Sequence, residues 1–149
     1  MSREVTDLSL RLRSLKHLYS KIRDHRCNRA DFRVFSKRIM HLICEEGIAT
    51  IDPQHIEIIT PMKAAYEGEI ISTADIVVVP IIRAGDAMLE SFLSIVPDAI
   101  VGKILIQRDE STAKPILFYS KLPPLLQKKV IILDPMLATG GSAICCVNV

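Results

Sequence analysis

The sequence predicts an α/β domain built on a mainly parallel sheet, and three observations carry that prediction. Two continuous apolar, largely β-branched runs, Ile76–Val79 and Val130–Leu133, are strand-sized and read as strands covered on both faces. Stretches with helical apolar spacing precede the first run and separate it from the second. The second run ends at Asp134 in a loop of small residues that leads into a helix, the strand–loop–helix order of parallel sheets. A length of 149 residues suits one domain, and 49% hydrophobic with 24% charged residues excludes a disordered chain.

Each element has its own signal. Thr6 to about His25 reads as one amphipathic helix, with Leu8, Leu12, Leu15, Tyr19 and Ile22 on a stripe and Arg11, Arg13, Lys16, Lys21 and Arg23 on the other faces. Asn28 suits an N-cap, with Asp31 placed near the helix N-terminus that it opens. That second helix carries Phe32, Phe35, Ile39, Leu42 and Ile43, and Gly47 is placed to end it. Residues 1–47 thus form a helical arm within the domain 1–149. His55–Thr60 alternates as a strand that Pro61 stops. Arg83-Ala84-Gly85 turns the chain from the first buried strand into a helix bearing Met88, Leu89, Phe92 and Ile95, which Pro97 closes. Ala99–Gln107 reads as one strand, and Pro115–Tyr119 as its return across a long, mobile hairpin tip, RDESTAK. A short helix beginning at Ser142 is cut at Val149 before any further strand, so the sequence reads as an incomplete domain.

Charge and composition narrow the functional classes. Nineteen Lys+Arg against seventeen Asp+Glu gives +2, which offers no support for nucleic acid or membrane as a partner. No run approaches the length of a membrane span, and Met1–Arg13 interleaves acids and bases without an apolar core, so the expected location is cytoplasmic. Cys27, Cys44, Cys145 and Cys146 have neither disulfide-framework nor zinc spacing and read as reduced thiols. His17, His25, His41 and His55 likewise lack metal spacing. A Walker A loop is excluded, because Gly102-Lys103 is followed by Ile104 and Pro97 occupies the position of the first glycine.

The chemistry concentrates in VIILDPMLATGGSA, residues 130–143. A buried strand ends at Asp134, at the edge where α/β sheets place ligands. Ala138-Thr139-Gly140-Gly141-Ser142 then offers consecutive backbone N–H groups, two hydroxyls and a helix N-terminus, which together make a phosphate cradle. A carboxylate just before that cradle can accept hydrogen bonds from a sugar diol. Phosphate on the loop and diol on the acid describe a ribose 5-phosphate site. Taken alone, a Gly-Gly turn of this kind serves equally well as a plain helix cap.

This segment resembles the phosphoribosyl pyrophosphate (PRPP) loop of the type I phosphoribosyltransferases, in the form characteristic of the uracil phosphoribosyltransferase family, where a proline such as Pro135 replaces the second acid. The resemblance extends to VVVPIIRAG (Val77–Gly85), similar to the family's pyrophosphate-loop segment, and to GKILIQRDESTAKPILFYSKLP (Gly102–Pro123), similar to its flexible hairpin in eukaryotic form. IRDHRCNRADFRVFSKRIMHLICEEG (Ile22–Gly47) is similar to the family's N-terminal arm.

The resemblance implies a type I phosphoribosyltransferase-like fold and the reaction of uracil with PRPP to give UMP and pyrophosphate, in pyrimidine salvage. It implies that Arg83 and Arg108 contact pyrophosphate, that Asp134 takes the ribose hydroxyls, and that the loop Pro135, Met136, Leu137, Ala138, Thr139, Gly140, Gly141 and Ser142 binds PRPP. Arg83, Arg108 and Asp134 are the catalytic candidates. Mg²⁺ is expected on the oxygens of PRPP rather than on the protein, since Pro135 removes an acid. GTP as an activator would meet Lys16 and Arg23, and a homo-oligomer, dimer or tetramer, is expected. The family's uracil-reading segment lies beyond the position matching Val149, so no uracil-binding residue is expected among these 149, and no general base for uracil N1 is evident. Two alternatives stand beside this reading: an inactive PRPP-binding or oligomerising remnant, and the transferase-like domain of a uridine–cytidine kinase.

Overall fold

Strand β3 (Ile76–Ile82) organises the molecule in the computed structural model, which describes residues 5–149. Around it, in chain order, come a 3₁₀ turn (Leu8–Leu10), α1 (Arg13–Ile22), α2 (Arg29–Ile48), β1 (Gln54–Ile59), β2 (Ala65–Ile70), α3 (Asp86–Ile95), β4 (Ile100–Val101), β5 (Lys103–Arg108), β6 (Pro115–Lys121), β7 (Lys129–Leu133) and α4 (Gly141–Val147). β3 is parallel to β4, β5 and β7, and β6 returns antiparallel to β5. Val77 and Val78 face Ile100 and Val101 across β3, and Ile81 and Ile82 face Ile104 and Leu105 in the same register. A strand has two edges, so β4 and β5 share one edge of β3 and β7 takes the other. The expected mainly parallel sheet is present.

Alternation along β3 separates two apolar layers. Ile76 and Val78 pack with Phe92, Met88 and Val96, and with Cys44 and Ile48 at the end of α2. Val77, Val79 and Ile81 pack on the opposite face with Ile104, Ile106 and Cys146 of α4. Burial on both faces explains the absence of polar residues in this run, each side chain contributing on the order of 1.5–3 kcal/mol. Leu15, Leu18 and Ile39 form a separate cluster between α1 and α2. α2 therefore joins the helical arm to the sheet, with Ile39 in one cluster and Cys44 and Ile48 in the other. Burial pushes the Cys44 thiol up to about 11, and all four cysteines are free.

The structure corrects several boundaries. Thr6–His25 is not one helix. Asp7 Oδ1 accepts from the Ser9 amide (2.9 Å) and hydroxyl (2.6 Å), closing a local turn, and Leu12 is extended before α1 begins. The apolar stripe survives the break, because Leu8, Leu12, Tyr19 and Ile22 still pack around Leu15 and Leu18. Asn28 does cap α2, its Oδ1 accepting from the Asp31 amide at 2.9 Å. Gly47, in contrast, lies inside α2, which ends one residue later at Ile48. β2 is an element the sequence reading left out; it pairs with β1 across a turn where Lys63 has φ 59°. Ala99–Gln107 is divided at Gly102, whose amide donates to the Val78 carbonyl at 2.9 Å.

The hairpin tip, residues 109–114, lies where expected and is closed by local hydrogen bonds. Asp109 Oδ1 accepts from the amides and hydroxyls of both Ser111 and Thr112, at 2.6–3.0 Å. Those hydrogen bonds, that from the Ser111 hydroxyl first, hold its carboxyl down at about 2 against an ordinary value of 3.8. A depressed folded value means that the turn is fully stabilised above the ordinary carboxylate range and loses that support as pH falls through about 2. Amide exchange at Ser111 and Thr112 is therefore expected to stay slow from neutral pH to about 3, after correction for intrinsic rates. Protection already lost at pH 4 would show that the carboxylate does not hold the tip.

Candidate active site

Three parallel strands end on one side of the sheet, and each delivers a predicted residue there. Ile81, Ile82, Arg83 and Ala84 come from the end of β3, Ile106 and Arg108 from β5, and Asp134, Met136 and Ala138 from the loop after β7. Ser142 comes from the first turn of α4, and together these residues line a cleft of about 270 Å³. This is the carboxyl edge, where open α/β sheets take their ligands. Grooves of about 650 and 800 Å³ lie elsewhere, but neither joins a carboxylate to two arginines and a small-residue loop. Chemistry, more than volume, picks out the cleft.

The walls have different characters. Ile81 and Ile106 are buried, so the floor is apolar and fixed by the core. Arg83 and Arg108 are exposed, and their guanidinium groups are free to fork onto phosphate oxygens. Asp134 is half-buried, and its Oδ1 accepts from the Met136 amide at 3.2 Å, which bends the chain into the loop. Gly140 stands at φ 77°, the left-handed conformation that favours glycine, as the N-cap of α4. A Cβ at Gly141, the first residue of α4, would meet the Pro115 ring and the Thr139 hydroxyl at 3.7 Å, an ordinary contact distance. Burial raises the Cys146 thiol, with Cys145 and the Asp134 charge adding to the effect.

Of the residues singled out in the sequence, Arg83, Arg108, Asp134, Met136, Ala138 and Ser142 meet in the cleft. Pro135, Leu137, Thr139, Gly140 and Gly141 belong to the same loop without lining that cleft. Lys16 and Arg23 do not reach it. They line the separate groove of about 650 Å³ along α1, with Asp7, Ser9, Tyr19 and Ile43. Gly85 is the position whose role the sequence reading missed. A Cβ there would stand 2.6 Å from the Ile81 nitrogen, and it would also collide with the Leu133 carbonyl oxygen. The absent side chain lets the Arg83 turn press against the last residue before Asp134. Only the tight Arg-Ala-Gly turn after a buried strand hinted at this.

A family model described as uracil phosphoribosyltransferase matches residues 10–149. The chain belongs to the uracil phosphoribosyltransferase family. Uracil phosphoribosyltransferase 1 of Schizosaccharomyces pombe is 43% identical over 136 residues, covering 91% of this chain and 62% of that protein. Uracil phosphoribosyltransferase of Dictyoglomus turgidum is 38% identical, covering 91% and 65%, and that of Saccharomyces cerevisiae 44% identical, covering 85% and 59%. The chain thus spans about three fifths of the length of these curated relatives. A solved structure, that of AQ2163 protein from Aquifex aeolicus, superposes with a TM-score of 0.77 at 32% identity, covering 99% of this chain and 68% of that one. As a uracil phosphoribosyltransferase family member, the chain has the type I phosphoribosyltransferase-like α/β fold expected from its sequence.

Proposed function

We propose that the cleft binds PRPP and that the protein acts as a uracil phosphoribosyltransferase, joining uracil to the phosphoribosyl group to give UMP and pyrophosphate in pyrimidine salvage. The convergence of Arg83, Arg108, Asp134 and Ser142 from four different elements carries this reading. In the transfer, the bond from ribose C1 to the pyrophosphate oxygen breaks and the bond from C1 to uracil N1 forms. The N1 proton passes to solvent. Negative charge develops on the departing pyrophosphate, where two guanidinium groups stabilise it. Asp134 accepts from the ribose hydroxyls and so fixes the sugar, while the loop ending at Ser142 holds the 5′-phosphate.

The cleft suits a magnesium ion carried in on the donor's own oxygens. Asp134 is the one carboxylate among its lining residues. The groove holding Lys16 and Arg23 has room and positive charge for GTP as an activator. The β1–β2 hairpin exposes Ile58, Ile59 and Tyr66, which supports a homo-oligomer in which they are covered. A cytoplasmic location is part of the same reading; no helix among the described residues is long and apolar enough to cross a membrane.

Calorimetric titration with PRPP tests the donor site, and conversion of labelled uracil to UMP tests the transfer. Failure of both overturns the proposal. Binding without transfer keeps the donor site and agrees with the expectation that no uracil-binding residue lies among these 149, and clear transfer would show that the acceptor site lies among them after all. Arg108→Ala is expected to weaken pyrophosphate binding about tenfold while the melting temperature stays within about 2 °C, because an exposed side chain adds little to folding. A large loss of stability with unchanged binding would make Arg108 a structural residue.

A further inference from the structure

α3 carries two charged side chains, Asp86 in its first turn and Glu90 one turn on. Each meets a lysine from a different element. Lys103 Nζ, at the start of β5, donates to Asp86 Oδ1, and Lys37 Nζ of α2 donates to Glu90 Oε1 at 2.6 Å. All four side chains are partly or well exposed, and solvent screens such pairs, so they contribute little to folding. Stability alone gives little reason for two of them.

Their positions relative to the cleft differ. The Asp86 amide donates to the Arg83 carbonyl at 3.3 Å, so this carboxylate belongs to the same turn that presents Arg83. Glu90 stands about 6 Å further along the helix. Neither Asp86 nor Lys103 lines the cleft, so the pair acts on it through the field: a bare carboxylate three residues from an arginine offered to a polyanion opposes binding twice. It attracts the guanidinium to itself and repels the incoming phosphate oxygens. Lys103 is well placed to prevent both, because its backbone is fixed. Gly102 before it is buried and hydrogen-bonded to Val78, and a Cβ there would stand 2.8 Å from Leu122 Cδ2.

We propose that Lys103 is a positioning residue that holds and neutralises the Asp86 carboxylate, so that the Arg83 turn presents positive charge to a polyphosphate in the cleft. The inference rests on the reading of that cleft as a PRPP site and names the pair that sets its field. Lys37–Glu90 is a built-in control, an ion pair of the same kind placed one turn away.

The test titrates inorganic pyrophosphate calorimetrically into the protein at low salt. Lys103→Met is expected to weaken binding about three- to tenfold, with the melting temperature within about 2 °C of wild type. Lys103→Arg and the double variant Lys103→Met/Asp86→Asn are expected to bind like wild type, and so is Lys37→Met. The deficit of Lys103→Met shrinks as salt is raised. Unchanged binding by Lys103→Met, no recovery in the double variant, or an equal loss in Lys37→Met would each overturn the proposal. Should Lys103→Met fail to fold, Asp86→Asn alone decides: binding equal to or tighter than wild type supports the proposal, and weaker binding by a folded variant overturns it. A wild-type protein that takes up no pyrophosphate overturns the cleft reading and this inference with it. Binding that ignores Lys103 overturns the inference alone.

Discussion

Gly85→Ala is expected to lower the melting temperature by roughly 10 °C, a loss of about 3 kcal/mol. The added methyl would sit 2.6 Å from the Ile81 nitrogen and 2.8 Å from its carbonyl oxygen, and it would overlap the Leu133 carbonyl as well. All three are backbone atoms at the ends of β3 and β7, so no rotamer change relieves the contact. Either the Arg83 turn lifts away or the two strands part, and both movements displace the cleft. Backbone conformation is not the issue, because Gly85 has φ −61°, which any residue adopts. Gly47→Ala supplies the contrast. A Cβ at Gly47 meets nothing within 4 Å inside α2, so the same substitution there is expected to stabilise the protein by about 0.5–1 kcal/mol. Thermal melts of the two variants followed by circular dichroism should move in opposite directions. A Gly85→Ala protein melting within 2 °C of wild type would show that the close approach is not needed.

What the sequence made legible and what it hid follow from the range of the interactions involved. Ile76–Val79 was readable because burial on both faces excludes polar residues, a constraint written into consecutive positions. The Asn28 cap was readable because its partner, the Asp31 amide, lies three residues on. The break before α1 was not, since the stripe from Leu8 to Ile22 has helical spacing on both sides of a turn that Asp7 closes locally. β2 was hidden because Ala65–Ile70 pairs only with β1 and is exposed along nearly its whole length, so burial imposes little pattern. At the site, Asp134 and the loop after it form one contiguous motif, whereas the juxtaposition of Arg83 with Arg108 depends on the register of β3 with β5. The Lys103–Asp86 pair spans seventeen positions and depends on the same register. Gly85 lies furthest from view, since the atoms that forbid a side chain there include the carbonyl of Leu133, on another strand.

Asp134→Asn is expected to weaken PRPP binding about thirtyfold, a loss of about 2 kcal/mol, by replacing charge-assisted hydrogen bonds to the ribose diol with neutral ones. The substitution is close to isosteric. An asparagine can keep a carbonyl oxygen facing the Met136 amide, the contact that Asp134 Oδ1 makes at 3.2 Å, so the loop geometry is preserved. Only the charge and one acceptor change. Pyrophosphate titration separates this effect from a general loss of the site, because pyrophosphate has no diol. Asp134→Asn is expected to bind pyrophosphate at least as well as wild type, since a negative charge has left the cleft. Gly141→Val gives the complementary result. A Cβ there makes only ordinary contacts, 3.7 Å from the Pro115 ring and the Thr139 hydroxyl, so no backbone atom bars a side chain. A phosphate approaching the Ala138–Ser142 amides is obstructed by it, and ribose 5-phosphate binding should fall at least tenfold while pyrophosphate binding holds. If Asp134→Asn lost affinity for pyrophosphate and PRPP alike, the carboxylate would be shaping the whole cleft rather than gripping the sugar. If both variants bound PRPP as wild type does, the ribose phosphate would have to sit elsewhere on the protein.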